Sequence, residues 1–175
     1  MLLVAAVLGL AGCSRGTDYD SSLPAVTTTT AKSAKPMIGG NAGSGSEAEI
    51  LAGYRSYWRA LITAGATADA TSPLLPAHAT GLALEQARAH FAELKRLGQV
   101  DRGTVALHPR LVAVRDAAAT VEDCPDTSHW LRQDARTGAL RETIDSQRVK
   151  YLVVLFLIDQ TWKVTNVTGK GRCQS

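Results

Sequence analysis

The chain has 175 residues, 45% of them hydrophobic, 20% charged and 5% aromatic, with a formal net charge of +3. No apolar run approaches the ~18 residues a membrane-spanning helix needs, and the charge is too small and scattered for a nucleic-acid-binding footprint. The three cysteines are an odd number that one disulfide cannot absorb.

The first residues, from Met1 to Leu10, form an apolar run with the length of a signal-peptide core. It ends in Leu10-Ala11-Gly12-Cys13, which resembles a bacterial lipobox. The small side chains of Ala11 and Gly12 leave the backbone accessible to a peptidase, and the Cys13 thiol is the group able to take a diacylglyceryl thioether. The resemblance implies residues 1–12 as a signal peptide, lipidation of Cys13, and a membrane partner reached through that lipid. It places the protein on the extracytoplasmic face of a bacterial cell membrane, because several acyl chains on one residue give stable anchoring.

Residues 13–46 read as the lipidated cysteine followed by a flexible linker. Ser14 to Ser46 holds six Ser, five Thr, five Gly and two Pro, with little apolar surface to bury. A flexible chain of that length spans about 30 Å. The glycine-rich run Gly39 to Gly45 is no phosphate loop, since no strand precedes it and no Lys follows.

Folding is expected over residues 47–175. Ser46 and Glu49 form a capping box, and Ile50, Leu51, Tyr54, Trp58, Leu61 and Ile62 repeat at helical spacing to about Ala64. Arg55 and Arg59 fall on the outer side. A loop with Pro73 and Pro76 has room for one short helical turn. A second long helix is expected from Leu82 to Leu97, with Leu84, Ala87, Phe91 and Leu94 as its stripe and Gly98 as its stop.

Strand patterns follow. Leu107 to Arg115 and Ala118 to Cys124 flank a turn at Asp116-Ala117. Ser128 to Asp134 reads as a short strand, and Arg136-Thr137-Gly138 as a turn. Val149 to Ile158 is nearly continuous apolar sequence, the pattern of a strand buried on both faces or held in a strongly curved sheet. Asp159-Gln160 turns the chain into the alternating segment Thr161 to Val167. Helices followed by a meander imply an α+β domain, with helices on one face of an antiparallel sheet.

This order resembles the nuclear transport factor 2-like (SnoaL-like, cystatin-like cone) superfamily, and more narrowly its lipid-anchored actinobacterial members. The residues that carry the likeness are Tyr54-Arg55-Ser56-Tyr57-Trp58, Ala79-Thr80-Gly81, Val121-Glu122-Asp123-Cys124, Asp134 to Gly138, and Trp162 with Gly171-Arg172-Cys173. The resemblance implies a cone with an apolar cavity between helices and sheet. Tyr54, Tyr57, Trp58 and Tyr151 are candidates to line it, and Asp145 is a conceivable buried carboxylate. The simpler expectation for aromatics at helical spacing is core packing.

Export favours closed cystines. With Cys13 taken by lipid, Cys124 and Cys173 are expected to form a structural disulfide; the competing readings are redox or metal chemistry, without a Cys-x-x-Cys to support them. The closed loop of about 50 residues gives roughly 4 kcal/mol in the chain-entropy model.

No catalytic residues, metal or cofactor are assigned. His78, His90, His108 and His129 show no metal-ligand spacing, and His90 beside Phe91 reads as a boundary residue. His129 with Glu122, Asp123 and Asp126 is the best candidate acid–base cluster; the favoured reading is a hydrogen-bonded loop at the disulfide with carboxylates capping amides. No Gly-x-Ser-x-Gly elbow is present. Gly169 to Arg172 reads as a tail after the last strand. The leading functional expectation is a non-catalytic envelope protein that binds or scaffolds a partner. The alternative is a carrier of a small apolar ligand; an isomerase or dehydratase ranks third.

Overall fold

The computed structural model describes residues 45–142 and 148–173. Cys13, the leader, the linker to Ser44 and Asp145 lie outside the described residues. Among the described residues three helices precede seven strands: α1 (Glu47–Gly65), α2 (Leu74–His78), α3 (Gly81–Arg96), β1 (Gln99–Gly103), β2 (Arg110–Arg115), β3 (Ala118–Asp123), β4 (Trp130–Asp134), β5 (Leu140–Glu142), β6 (Val149–Ile158) and β7 (Thr161–Arg172).

The Ser46 hydroxyl starts α1 by accepting the Glu49 amide at 3.3 Å, while the Glu49 carboxylate accepts the Ser46 amide at 2.7 Å. The buried face of α1 carries Ile50, Tyr54, Tyr57, Trp58 and Leu61, and Arg55 and Arg59 are exposed. In α3 the buried stripe is Ala83, Ala87, Phe91 and Leu94. Ala83 joins the expected stripe, and Leu84 is half-buried and packs against the core. Gly98, with φ at 65°, ends the helix. Among the described residues no helix is long and apolar enough to cross a membrane.

The fold is α+β with two antiparallel sheets, β1-β4-β5 and β2-β3-β6-β7. The helices lie against the inner face of the larger sheet, where Ala119, Val121, Val153, Leu155, Trp162 and Val164 are buried. Contact is closest at Gly53, where a Cβ would stand 2.6 Å from that of Trp162. Irregular register at Leu111/Ala113, Val149/Tyr151 and Val154/Leu155 curls the sheet without closing it into a barrel. The β7 edge is covered by the α2–α3 connection, with Ala79 bridged to Val164 and the Thr80 amide donating to the Val164 carbonyl at 2.9 Å.

The β6–β7 hairpin turns on Asp159 and Gln160, both left-handed at φ 49° and 62°, the pairing a two-residue turn requires to match strand twist. The β2–β3 hairpin turns at Asp116-Ala117, with Asp116 at φ 52°.

Several expectations need correction. β6 is not buried on both faces: Val153 and Leu155 are buried, but Phe156 is 43% exposed. Of the two sequence readings, the curved sheet is the one found. The segment Gly169 to Arg172 belongs to β7, with Arg172 opposite Val149, so it is no tail. The β2 ladder begins at Arg110 rather than Leu107, because the approach is held by other bonds. Ala106 pairs with Asp126, and the His108 amide goes to the Asp123 carboxylate. Strands β1 and β5 had no sequence reading.

Candidate functional site

Tyr54, Tyr57 and Trp58 sit on one face of α1 because offsets of three and four residues stack on a helix. Tyr151 comes from the start of β6. The structure brings all four to one pocket of ≈240 Å³, together with Leu61, Gln86, Val153 and Val167. The pocket lies between the helices and the inner sheet face. Its wall continues beyond Trp58, whose ring meets Trp130 edge to face at 5.9 Å.

A relay of hydrogen bonds runs behind the aromatic wall. The Trp58 indole N–H donates to the Tyr54 hydroxyl at 2.7 Å, and that hydroxyl donates to Asp123 Oδ2 at 2.9 Å. Asp123 Oδ1 accepts the backbone amides of His108 at 2.8 Å and Cys124 at 2.7 Å. The carboxylate is 2% exposed and takes three donors, two of them backbone. Burial, reinforced by the Asp123 charge, pushes the Tyr54 hydroxyl far above its ordinary value. Burial also pushes Tyr57 up to about 12, with Tyr151 adding to the effect. Both phenols are therefore neutral donors at physiological pH.

Cys124 follows Asp123 directly and is bonded to Cys173, with Cα atoms 5.9 Å apart. The bridge joins the end of β3 to the end of β7, and the Cys173 amide donates to the Arg148 carbonyl at 2.9 Å.

The expected acid–base cluster does not assemble. Neighbouring residues on β3 face opposite ways. Asp123 is buried, whereas Glu122 bonds Arg110 at 2.9 Å. Asp126 caps the Ser128 amide at 3.0 Å and bonds Arg148 at 2.8 Å, and His129 is exposed. The loop reading, with carboxylates capping amides beside the disulfide, describes this region.

A second buried carboxylate, Asp101 on β1, was not foreseen. It accepts from Arg132 at 3.1 Å and bonds His90 Nε2 at 2.8 Å. Burial would raise its pKa, but the bonds from His90 and Arg132 hold it below the ordinary value. Its burial was not legible because both partners lie on other elements.

A wider, open groove of ≈620 Å³ runs between α1, His78 and the β6–β7 turn, lined in part by Gly45, Glu49 and Trp162. His78 Nδ1 is buried there without a hydrogen-bond partner among the described residues. Burial, with Arg59 and Lys163 nearby, lowers the His78 pKa, so the imidazole is neutral near pH 7. Among the described residues no three His, Cys, Asp or Glu side chains converge in a way that would hold a metal ion.

No protein-family model matches the sequence, and no curated protein matches it. Among solved structures, the crystal structure of the intermembrane-space region of the chloroplast protein ARC6 is similar at a TM-score of 0.52 and 17% identity. That match covers 73% of this chain and 98% of the other. The solution structure of a de novo designed beta-sheet protein gives a TM-score of 0.35 at 16% identity, covering 71% of this chain and 91% of the design. The first likeness is one of fold alone, and nothing is built on the second.

Proposed function

We propose that this chain is a lipid-anchored, non-catalytic binding module of the bacterial cell envelope, held at the extracytoplasmic membrane face by Cys13 and carrying a nuclear transport factor 2-like cone. The observation that carries the non-catalytic reading is the burial of Asp123. A general base must come within hydrogen-bond reach of substrate, and this carboxylate is 2% exposed and already accepts from Tyr54, His108 and Cys124. The lipobox at Leu10 to Cys13 and the polar linker support the anchoring. Photocrosslinking on intact cells tests the module: a specific envelope partner is expected, and recovery of nothing above background contradicts it.

The pocket supports a second reading, a carrier of a small apolar ligand. At ≈240 Å³ it falls below the roughly 300–1,000 Å³ of ordinary ligand sites, which limits the ligand to about one ring with a polar group for the tyrosine hydroxyls. Native mass spectrometry after gentle purification would show such a ligand as an added mass. An isomerase or dehydratase is the least supported reading, because every described carboxylate behind the pocket is engaged.

A further inference from the structure

The outer face of the β2-β3-β6-β7 sheet is a second surface that the pocket does not use. Because Val153 and Leu155 are buried inward, alternation turns Leu152, Val154, Phe156 and Ile158 outward in one row. Phe156 is 43% exposed, whereas the inward residues Val153 and Leu155 are buried. Register places Ala118 beside Phe156, and Thr120 beside Val154, so the apolar row widens onto β3.

Its surroundings are basic. Arg110, Arg115, Lys150 and Lys170 lie along the outward side or its rim, against Glu122 within the strands and Asp116 and Asp159 in the turns, while Lys163 gives its ammonium to the Pro76 carbonyl of α2. Glu122 is bonded by Arg110 and also approached by Lys150 at 3.6 Å. Two copies packed through this face would oppose like net charges, which disfavours self-association. An apolar row with a cationic rim complements a surface that is apolar beneath and anionic at its headgroups.

We propose that this sheet face docks on an anionic lipid surface, laying the domain flat on the membrane to which the chain is anchored. The location rests on the anchoring proposed above; the charge and apolar pattern belong to the domain itself. The test is sedimentation of the full chain carrying Cys13→Ala, which removes the lipid, with vesicles of phosphatidylglycerol or of phosphatidylcholine. The expected result is binding to the anionic vesicles at least about tenfold tighter than to the zwitterionic ones, lost at about 0.5 M NaCl. Phe156→Asp, and separately Lys150→Glu with Lys170→Glu, should each weaken it by about tenfold or more at an unchanged melting temperature.

Equal binding to both vesicles, or full binding by both variants, would overturn the proposal. So would a dimer in sedimentation equilibrium that Phe156→Asp dissolves, which would assign the face to a second copy. Mass spectrometry of the natural chain from bacterial membranes reads the anchor separately: an unmodified Cys13 would remove the anchoring while leaving the vesicle result to stand or fall alone.

Discussion

Asp101 and Asp123 are each 2% exposed, yet the two sheets keep their buried carboxylates in different ways. In the small sheet Asp101 meets a cation, Arg132, and the half-exposed imidazole of His90, which reach it from β4 and α3. In the large sheet Asp123 meets neutral donors, one phenol and two backbone amides. A charge held by cations near solvent responds to pH and can be resolvated when broken. Asp123 is held instead by one buried phenol and two part-buried backbone amides, so its loss is felt chiefly through the Tyr54 hydroxyl.

The covalent tie sharpens this comparison most. Removing the Cys124–Cys173 bridge by Cys124→Ala with Cys173→Ala is expected to cost about 4 kcal/mol, from the loop of 49 residues it closes. Hydrogen exchange should then rise at the ends of β3 and β7, on the Asp123 side, more than in β1 and β4. Uniform loosening of both sheets would mean that the bridge acts through the unfolded chain alone.

Truncation separates the two carboxylates directly. Asp123→Ala leaves the buried Tyr54 hydroxyl and two part-buried amides without their acceptor and should cost about 3 kcal/mol in denaturant unfolding, against about 1.5 kcal/mol for Asp101→Ala. The difference follows because Arg132 and His90 are 21% and 41% exposed and can turn to water. Equal costs would break the comparison.

Acid tests the ion pair at Asp101. The folded-state pKa of Asp101 is depressed, so its contribution is present above the unfolded value of about 3.9 and fades as pH falls through the folded value. The stability difference between the natural chain and Asp101→Asn should be about 1 kcal/mol near neutrality and shrink below about pH 4. A difference that is flat with pH would show the ion pairs to be idle.

Alkali should find the pocket. Tyr57 is raised to about 12, so the stability of its neutral form is complete below the unfolded value of about 10 and is lost as pH rises from there through the folded value. Tyr57→Phe should flatten the alkaline limb of the stability profile by roughly 1 kcal/mol near pH 11. An unchanged limb would place the Tyr57 hydroxyl in water.

What the sequence made legible follows the range of the interactions. The start of α1 is written in Ser46 and Glu49, three residues apart, and the β6–β7 hairpin in Asp159-Gln160 between apolar runs. Tyr54, Tyr57 and Trp58 share a helical face, so their common burial was readable, whereas Tyr151 reaches them from β6, where no local pattern joins it to α1. Strand β1 was not, since Gln99 to Gly103 carries one large apolar residue, Val100, and is held by pairing with β4 thirty residues later. The Tyr54–Asp123 bond joins residues 69 apart, beyond any local pattern. One signal was present: Ala119, Val121 and Asp123 alternate as the buried side of β3, which sets Asp123 apart from Glu122. Grouping those acids with His129 overlooked that period of two.

Asp123 accepts from the Tyr54 hydroxyl across the core, and the strength of that bond can be measured directly. A double-mutant cycle of Tyr54→Phe and Asp123→Asn, read by denaturant unfolding, measures the coupling between them. A coupling of about 1 kcal/mol or more is expected from the 2.9 Å bond between buried partners. A coupling within about 0.3 kcal/mol of zero would contradict it and free the carboxylate for chemistry.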